Sequence, residues 1–365
     1  MIAMPRRAHN FNAGPAALPL PVLEQVQRDL LDFAGSGMSI LEMSHRSALY
    51  ERVHNQAIDD LRSLLGCPDD YAILFMGGGA LTQFALVAMN FLPAGTFADY
   101  LDTGNWSTTA IRQARKVGDA RTLWSGASIH YERVPTLQDY DVDPTAVYLH
   151  YTSNNTIVGT QFALPPETGD VPLFCDMSSD FLSQPIDVSQ FGLIYAGAQK
   201  NAGPAGVTIV IIRRDLLNRC PDGLPSSFNY AEIAAHNSLL NTPPVFGIYV
   251  VGLVANALVS QGGLEAVATQ NMQKATLLYQ TLDNSGGFYR GHAQPFSRSL
   301  MNVTFRLPTE ALEVRFVAES TEAGLIGLQG HRSVGGLRVS LYNAVSLADV
   351  QALIAFMADF QQRYG

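Results

Sequence analysis

Two periodicities of apolar positions alternate along the chain. Residues 21–31 and 49–65 have the spacing of helices that bury one face, and glycines at 35 and 37 separate them. Beyond residue 70, short apolar runs indicate buried strands, and a helical pattern at 82–89 follows the first run. The predicted strands cover residues 71–76, 147–150, 172–175, 193–196 and 207–212. This alternation predicts an α/β fold with helices on both faces of a mostly parallel sheet.

The pattern changes near residue 262. A long polar helix is predicted at 264–282, and strands at 301–305 and 337–342 follow it. We therefore expect a large domain over residues 1–261, whose N-terminal segment could pack with the second domain, and a smaller α+β domain over residues 262–365. The apolar segment 245–259 is shorter than the about 18 residues that suggest a membrane span, so it predicts a buried or interface helix.

The composition is that of an acidic globular protein. A chain of 365 residues that is 47% hydrophobic can bury a large core, and its net charge of -9 gives no general attraction to nucleic acid or anionic membranes. The three cysteines form no Cys-x-x-Cys pair, no metal-ligand spacing is present, and the N-terminal residues lack the apolar stretch of a secretory signal. We therefore expect a cytoplasmic protein without nucleic-acid, membrane or metal partners.

Two charged residues occupy positions where charge is unexpected. Lys200 lies among small residues beyond the predicted strand 193–196, where a low dielectric would favour the neutral, nucleophilic amine. On position alone, however, Lys200 could equally be a solvated surface lysine. Asp176 directly follows the strand at 172–175, at the edge where open α/β sheets bind ligands. A protonated pyridine nitrogen would pair with such a buried acid, but Asp176 could instead cap a following helix.

Three further features suggest a planar, anionic ligand. The glycine-rich turn at 77–83 joins a strand to a helix, whose first N–H groups can hold a phosphate, although it lacks the glycine spacing of nucleotide-binding motifs. Trp106 could stack on a ring or simply pack in the core. The clusters at 44–46 and 330–338 contain histidines and arginines that could bind carboxylate or phosphate. Surface charge is the alternative, which fits Arg338 least because this residue lies in an apolar strand pattern.

Six segments resemble the phosphoserine aminotransferase family, a group of class V pyridoxal-phosphate aminotransferases, in the order in which that family has them. They are residues 10–15, 43–46, 77–83, 195–204, 241–244 and 330–338. The sequences Ala-Gly-Ala-Gln-Lys-Asn at 196–201 and Gly-His-Arg at 330–332 are the most specific. The Asn-Ala-Gly-Pro segment at 12–15 is shared more widely among class V enzymes.

The resemblance implies the aspartate-aminotransferase fold, known as fold type I, and a homodimer with its active sites at the subunit interface. It implies one pyridoxal 5′-phosphate per subunit, bound covalently to Lys200, with Asp176 at the pyridine nitrogen and Trp106 stacked on the ring. The other implied cofactor contacts are Ala80, Leu81, Thr156, Gln199 and, from the neighbouring subunit, Asn241 and Thr242. The implied substrate-binding residues are His45, Arg46, His331, Arg332 and Arg338. Some family members carry arginine where this chain has Leu81, so any contact by that side chain is lost here.

The activity implied by the resemblance is reversible transfer of the amino group of L-glutamate to 3-phosphohydroxypyruvate, a step of L-serine biosynthesis. Use of the related phosphorylated 2-oxo acid of pyridoxine biosynthesis stays open. A glyoxylate aminotransferase is the nearest alternative, and the His-Arg pairs argue against it. A cysteine desulfurase would need a mobile reactive cysteine, which neither Cys67 nor Cys175 resembles. A catalytically inactive anion-binding protein would not require both Lys200 and Asp176.

Overall fold

A computed structural model describes residues 7–365, in which the chain forms strands and helices in alternation. The strands are β1 (His9–Asn10), β2 (Tyr71–Met76), β3 (Phe97–Asp102), β4 (Asp119–Ser125), β5 (Leu149–Thr152), β6 (Asn154–Asn155), β7 (Thr160–Gln161), β8 (Leu173–Asp176), β9 (Leu193–Gly197), β10 (Thr208–Arg213), β11 (Arg290–Gly291), β12 (Asn302–Arg306), β13 (Leu325–Ile326) and β14 (Leu337–Ser340). The α-helices are α1 (Leu20–Asp29), α2 (Ala48–Leu65), α3 (Gly79–Phe91), α4 (Asn105–Ala114), α5 (Arg214–Leu217), α6 (Tyr230–Ala235), α7 (Val245–Ser260), α8 (Gly263–Asp283), α9 (Glu310–Glu322) and α10 (Leu347–Tyr364).

Seven strands form the central sheet in the order β2-β10-β9-β8-β5-β3-β4. Neighbouring strands are parallel except at β10, which runs antiparallel to both β2 and β9. Apolar side chains of β10 alternate between two cores: Ile209 and Ile211 belong to one cluster, whereas Val210 and Ile212 belong to the other. A strand with a core on each face must be apolar throughout. The predicted α/β fold with a mostly parallel sheet is therefore confirmed.

The apolar pattern does not predict β3, α4 or β4. Strand β3 contains Asp99 and Asp102, which are both buried. Arg121 of β4 donates to the two carboxylate oxygens of Asp99 at 2.8 and 2.9 Å, and the hydroxyls of Ser107 and Ser125 donate to Asp102. Because most of these partners come from the neighbouring strand and helix, the local sequence does not reveal that the strand is buried.

A three-stranded antiparallel sheet, β11-β12-β14, lies in the C-terminal part of the chain. With α8, α9 and α10 it encloses a third core, in which Phe305, Phe316 and Leu353 are buried. Strand β1 pairs in parallel with β13, so the N-terminal segment joins this part of the molecule. The division of the chain at residue 261 stays a prediction.

Helix α7, which the sequence predicts as a buried or interface helix, packs against α2 and is largely buried. Within residues 7–365, no single helix is both long enough and apolar enough to cross a bilayer. Helices α7 and α8 meet these two criteria only when they are taken together, and the pair is bent by 85°.

Candidate active site

Lys200 lies in the turn after β9 and contacts the turn after β6. Its Nζ donates to Oγ1 of Thr156 at 2.7 Å. Burial lowers the pKa of Lys200 to about 8, although the nearby carboxylates of Asp176 and Asp180 oppose the shift. The neutral amine that attacks a carbonyl is therefore more abundant than for an ordinary lysine at neutral pH.

The chain contains only two other lysines, and neither is placed for such chemistry. Lys116 is exposed beyond the end of α4. Lys274 is buried, but its Nζ donates to three backbone carbonyls, those of Leu341, Tyr342 and Val345, at 2.9, 3.0 and 2.9 Å. Because the residue is only 2% exposed and its Nζ is bonded to these backbone carbonyls, Lys274 has a structural role in holding the segment 341–345. Lys200 is therefore the lysine whose amine is available to react with a carbonyl group.

Asp176 is the last residue of β8, as the apolar run predicts, and it is 4% exposed. Its carboxylate accepts the N–H of Ser178 at 3.0 Å within a turn, and no helix follows directly, so the helix-capping interpretation is wrong. Burial raises its pKa, whereas the positive charge of Lys200 acts in the opposite direction. No cation lies within ion-pair distance of this carboxylate in residues 7–365. A cationic ligand group would complete its environment.

The glycine-rich turn leads into α3, which begins at Gly79 without a side-chain cap. Gly78 has a φ of +88°, and a Cβ at this position would collide with Thr82, so glycine is needed here. The first N–H groups of the helix, including those of Ala80 and Leu81, have no acceptor within the helix. Together with the helix dipole, they form a site for an anion such as phosphate.

Trp106 lies in the first turn of α4 with its side chain 37% exposed. The start of this helix is tied to the Lys200 environment, because Asn155, which precedes Thr156, donates its Nδ2 to the carbonyl of Thr103 at 2.9 Å. The exposed indole therefore stands on a helix that is anchored beside the lysine. Gln199, next to Lys200, is partly buried, and its carbonyl accepts the N–H of Ala16 at 2.8 Å.

Arg338, which lies on β14, contacts the same residue as Lys200. Its Nη1 donates to the carbonyl of Thr156 at 3.2 Å, while its Nε is buried without a hydrogen-bond partner in the described part of the chain. Burial lowers the pKa of Arg338. His331 lies partly buried in the loop before β14, and Arg332 beside it is exposed. The structure thus brings Lys200, Thr156 and Arg338 together, with the loop of His331 and Arg332 leading into the same strand.

Two pairs of predicted site residues, in the segments before α2 and before α7, make no hydrogen bond to Lys200, Thr156 or Arg338 within residues 7–365. His45 and Arg46 precede α2; Arg46 is exposed, and Nε2 of His45 is buried without a partner among the described residues. Asn241 and Thr242 are exposed before α7 and line a cleft of about 390 Å³ with Gly78 at the start of α3. Their assignment to the neighbouring subunit stays a prediction.

Asp180 is a buried acid near Lys200 that the sequence interpretation misses. Its carboxylate accepts hydrogen bonds from Ser153 and from Nε2 of Gln161, and burial raises its pKa to about 7. The available signal is an acid in the Ser-Ser-Asp segment directly beyond the strand that ends at Asp176. Because it also influences the pKa of Lys200, Asp180 belongs to the electrostatic environment of the site.

These groups fit an aromatic aldehyde that carries a phosphate. The Lys200 amine can attack the aldehyde, buried Asp176 can pair with a ring nitrogen, and the start of α3 can bind the phosphate. The hydroxyls of Thr103 and Thr152, which follow β3 and end β5, are buried without partners among the described residues. Unpaired buried polar groups at this edge of the sheet are available to a polar ligand.

Known proteins with similar sequences and structures point in the same direction. The model of the family described as aminotransferase class V matches residues 8–353. A phosphoserine aminotransferase of Lysinibacillus sphaericus is 53% identical over 361 residues, which cover 99% of this chain and 100% of the relative.

Two solved structures extend the comparison to the fold. The phosphoserine aminotransferase from Bacillus circulans subsp. alkalophilus has a TM-score of 0.97 at 53% identity, covering 98% of this chain and 99% of that one. The pyridoxal-phosphate-bound phosphoserine aminotransferase from Trichomonas vaginalis has a TM-score of 0.92 at 36% identity, covering 96% and 100%. The chain therefore belongs to the class V aminotransferase family, in the group of the phosphoserine aminotransferases.

Proposed function

We propose that this protein catalyses the reversible transfer of the amino group from L-glutamate to 3-phosphohydroxypyruvate, giving 3-phospho-L-serine and 2-oxoglutarate. One observation carries the proposal: Lys200 bonds to the hydroxyl of Thr156, and Arg338 donates to the carbonyl of the same residue. An amine that reacts with carbonyls and a guanidinium that binds carboxylates therefore converge on one residue. An amino-acid transferase needs both groups in one site.

The cofactor of the proposed reaction is pyridoxal 5′-phosphate, one per subunit and covalently bound to Lys200. When bound, it supplies an electron-withdrawing ring that stabilises negative charge at the substrate Cα. Asp176 is expected at its ring nitrogen and Trp106 on its ring face. The residues proposed to hold the cofactor are Ala80, Leu81, Trp106, Thr156, Asp176, Gln199, Lys200 and, from the neighbouring subunit, Asn241 and Thr242.

Lys200 is also the proposed acid and base. With substrate bound, the Lys200 amine would accept the proton of the substrate Cα and would later return one to the substrate. A pKa of about 8, as found without cofactor, leaves both protonation states accessible near neutral pH. The hydrogen bond of 2.7 Å to Thr156 fixes the direction of Nζ.

The cationic residues at the site bind the anionic groups of the substrates in this proposal. Arg338, whose Nε has no partner among the described residues, is proposed to bind the α-carboxylate near Lys200. The phosphate is assigned to the two His-Arg pairs, which are His45 with Arg46 and His331 with Arg332. Two charge-assisted hydrogen bonds of about 1.5–3 kcal/mol each would favour a phosphorylated substrate by roughly two to four powers of ten.

The proposed assembly is a homodimer in which Asn241 and Thr242 reach the cofactor phosphate of the neighbouring subunit. An open groove of about 360 Å³ between α2 and α7 supports it, because apolar side chains including Phe33, Val53 and Leu253 line this groove. Apolar surface of this kind is typical of a face that a partner covers. Both Asn241 and Thr242 are exposed, which leaves their side chains free to reach outwards.

The cytoplasm is the proposed compartment. Cys67, Cys175 and Cys220 are all free thiols, and the first two are buried. Reduced cysteines are usual in a compartment that keeps thiols reduced.

The visible spectrum of the purified protein tests the proposed activity. The lysine-bound cofactor should give a visible band that 3-phosphoserine removes, whereas plain serine and alanine should act far less efficiently. In Arg332→Gln, the preference for the phosphorylated substrate should shrink while folding stays intact. A band that alanine or serine removes more efficiently would refute the substrate, and no band after addition of pyridoxal phosphate would refute the aminotransferase activity.

A further inference from the structure

We propose that Ser333 is a positioning residue that holds His331 as a neutral imidazole with its proton on Nε2. His331 then offers the substrate an N–H donor and no positive charge. The inference deepens the proposed function, because it takes His331 as a ligand of the substrate phosphate. It assigns a role to Ser333 and to Asn105, neither of which belongs to the predicted site.

The contacts of the imidazole determine its tautomer. Nδ1 of His331 lies 3.2 Å from the backbone N–H of Ser333, which donates to it, and 2.7 Å from Oγ of the same residue. A backbone N–H can only donate, so Nδ1 must present its lone pair and carry no proton. An imidazole without a proton on Nδ1 is neutral and carries its proton on Nε2.

Asn105 directs the hydroxyl of Ser333. Its Nδ2 donates to Ser333 Oγ at 3.0 Å, which leaves the hydroxyl hydrogen free to point at Nδ1 of His331. Asn105 is the first residue of α4, directly before Trp106. Ser333 therefore connects the helix that carries the proposed ring-stacking residue with the loop that carries the proposed phosphate ligands.

The charges that face His331 favour the neutral form as well. Partial burial lowers the pKa of His331, and the positive charges of Arg338 on β14 and Arg332 on the same loop lower it further. A protonated His331 would add a third like charge beside them. The arginines would thus supply the charge that attracts the phosphate, while the neutral His331 supplies a directed hydrogen bond.

Nitrogen-15 NMR of the histidine-labelled holoenzyme tests the tautomer without substrate, and the variant His331→Gln assigns the signals. At about pH 7.5 we expect a protonated Nε2 and an unprotonated Nδ1, and we expect the pKa of His331 to lie below that of an ordinary histidine. In Asn105→Asp, the carboxylate accepts the Ser333 hydroxyl, so Oγ no longer donates to Nδ1 and the pKa of His331 should rise above its wild-type value. A carboxylate in the first turn of α4 is compatible with the helix.

Kinetics test the consequence for the substrate. Ser333→Ala should raise KM for 3-phosphoserine about twofold to tenfold, the worth of one hydrogen bond, with a smaller change in kcat. Ser333→Thr, which restores the hydroxyl, should recover most of the affinity. Ser189→Ala, which removes an exposed hydroxyl bonded to Asp187 elsewhere on the surface, should change neither constant.

Two results would overturn the proposal. One is a wild-type His331 that carries a proton on Nδ1, and the other is an unchanged tautomer and pKa of His331 in Asn105→Asp together with an unchanged KM in Ser333→Ala. A failure to turn over 3-phosphoserine would refute the proposed function and leave the NMR result standing, so the two failures are distinguishable.

Discussion

Replacing Arg338 with glutamine would test its proposed contribution to substrate binding separately from its contribution to folding. The side chain is partly buried on β14 and donates one hydrogen bond, to the carbonyl of Thr156, while its Nε has no partner in residues 7–365. No carboxylate of the described chain forms an ion pair with it. Burying a charge with so few partners costs stability, so a ligand is the expected partner.

The magnitude follows from the number of bonds that the guanidinium can offer. The proposed bidentate contact to the substrate carboxylate would contribute about 3–6 kcal/mol, as two charge-assisted bonds of about 1.5–3 kcal/mol each. Arg338→Gln should therefore lower kcat/KM by roughly two to four powers of ten. The free energy of unfolding should stay within about 1 kcal/mol of the wild type or rise, because the variant removes an incompletely paired charge. The kcat/KM of Arg338→Lys should lie between those of the wild type and Arg338→Gln, since lysine keeps the charge but loses the fork geometry of the guanidinium.

Steady-state kinetics with 3-phosphoserine and 2-oxoglutarate, together with urea unfolding, provide the assay. Arg298→Gln is a matched control, because both Nη atoms of Arg298 are already bonded to the carboxylate of Asp283, at 2.7 and 2.6 Å. This control should keep its activity and lose at most about 1 kcal/mol of stability. A role of Arg338 in binding the carboxylate is refuted if Arg338→Gln retains kcat/KM within a factor of about three of the wild type, or if its stability falls as steeply as its activity.

Three further predictions concern the buried charges. Asp176→Asn should lower kcat by roughly two to four powers of ten with an unchanged circular dichroism spectrum, because it removes the buried partner proposed for the ring nitrogen; near-normal kcat would contradict this role. In cofactor-free protein, capture of pyridoxal phosphate should accelerate with rising pH and level off above about 8, because only neutral Lys200 attacks. Free N-acetyl-lysine is the control, and a rate that levels off only where that control does would contradict the lowered pKa. Burial lowers the pKa of Lys274 to about 7 from an ordinary 10.5. Between these values the unfolded chain binds more protons, so wild-type stability should rise with pH by up to about 1.4 kcal/mol per pH unit relative to Lys274→Met in urea unfolding, and parallel pH profiles would exclude the effect.

The elements that the sequence predicts well are those whose signal is local. Strand β2 has the bounds that its apolar run predicts, and α2 begins one residue before its predicted start. Helix α8 has a polar sequence, but its Asn271 and Lys274 are buried, which the local pattern does not predict. Carbonyl oxygens of Leu341, Tyr342 and Val345 bond the lysine, and these lie more than 60 residues away along the chain. Only the folded structure brings such partners together.

The candidate site also contains residues that the local sequence predicts and residues that it does not. The positions of Lys200 and Asp176 follow from apolar runs that end beside them, since strand ends on one edge of a parallel sheet meet in space. The environment of Asp180 depends on Ser153 and Gln161, which the sequence separates from it by 27 and 19 residues. The contact between Asn105 and Ser333 joins residues that are 228 positions apart. No local pattern predicts such pairs, so the groups that orient the site become apparent only in the fold.

The most direct test of the account is to find which lysine carries the cofactor. Borohydride reduction of the holoenzyme makes the bond permanent, and mass spectrometry of the digested protein then locates the added mass. Because the chain has only Lys116, Lys200 and Lys274, the result is unambiguous. We expect pyridoxyl phosphate on Lys200 alone, and none in Lys200→Arg. Modification of Lys116 or Lys274 with Lys200 intact, or no modification after incubation with pyridoxal phosphate, would contradict it.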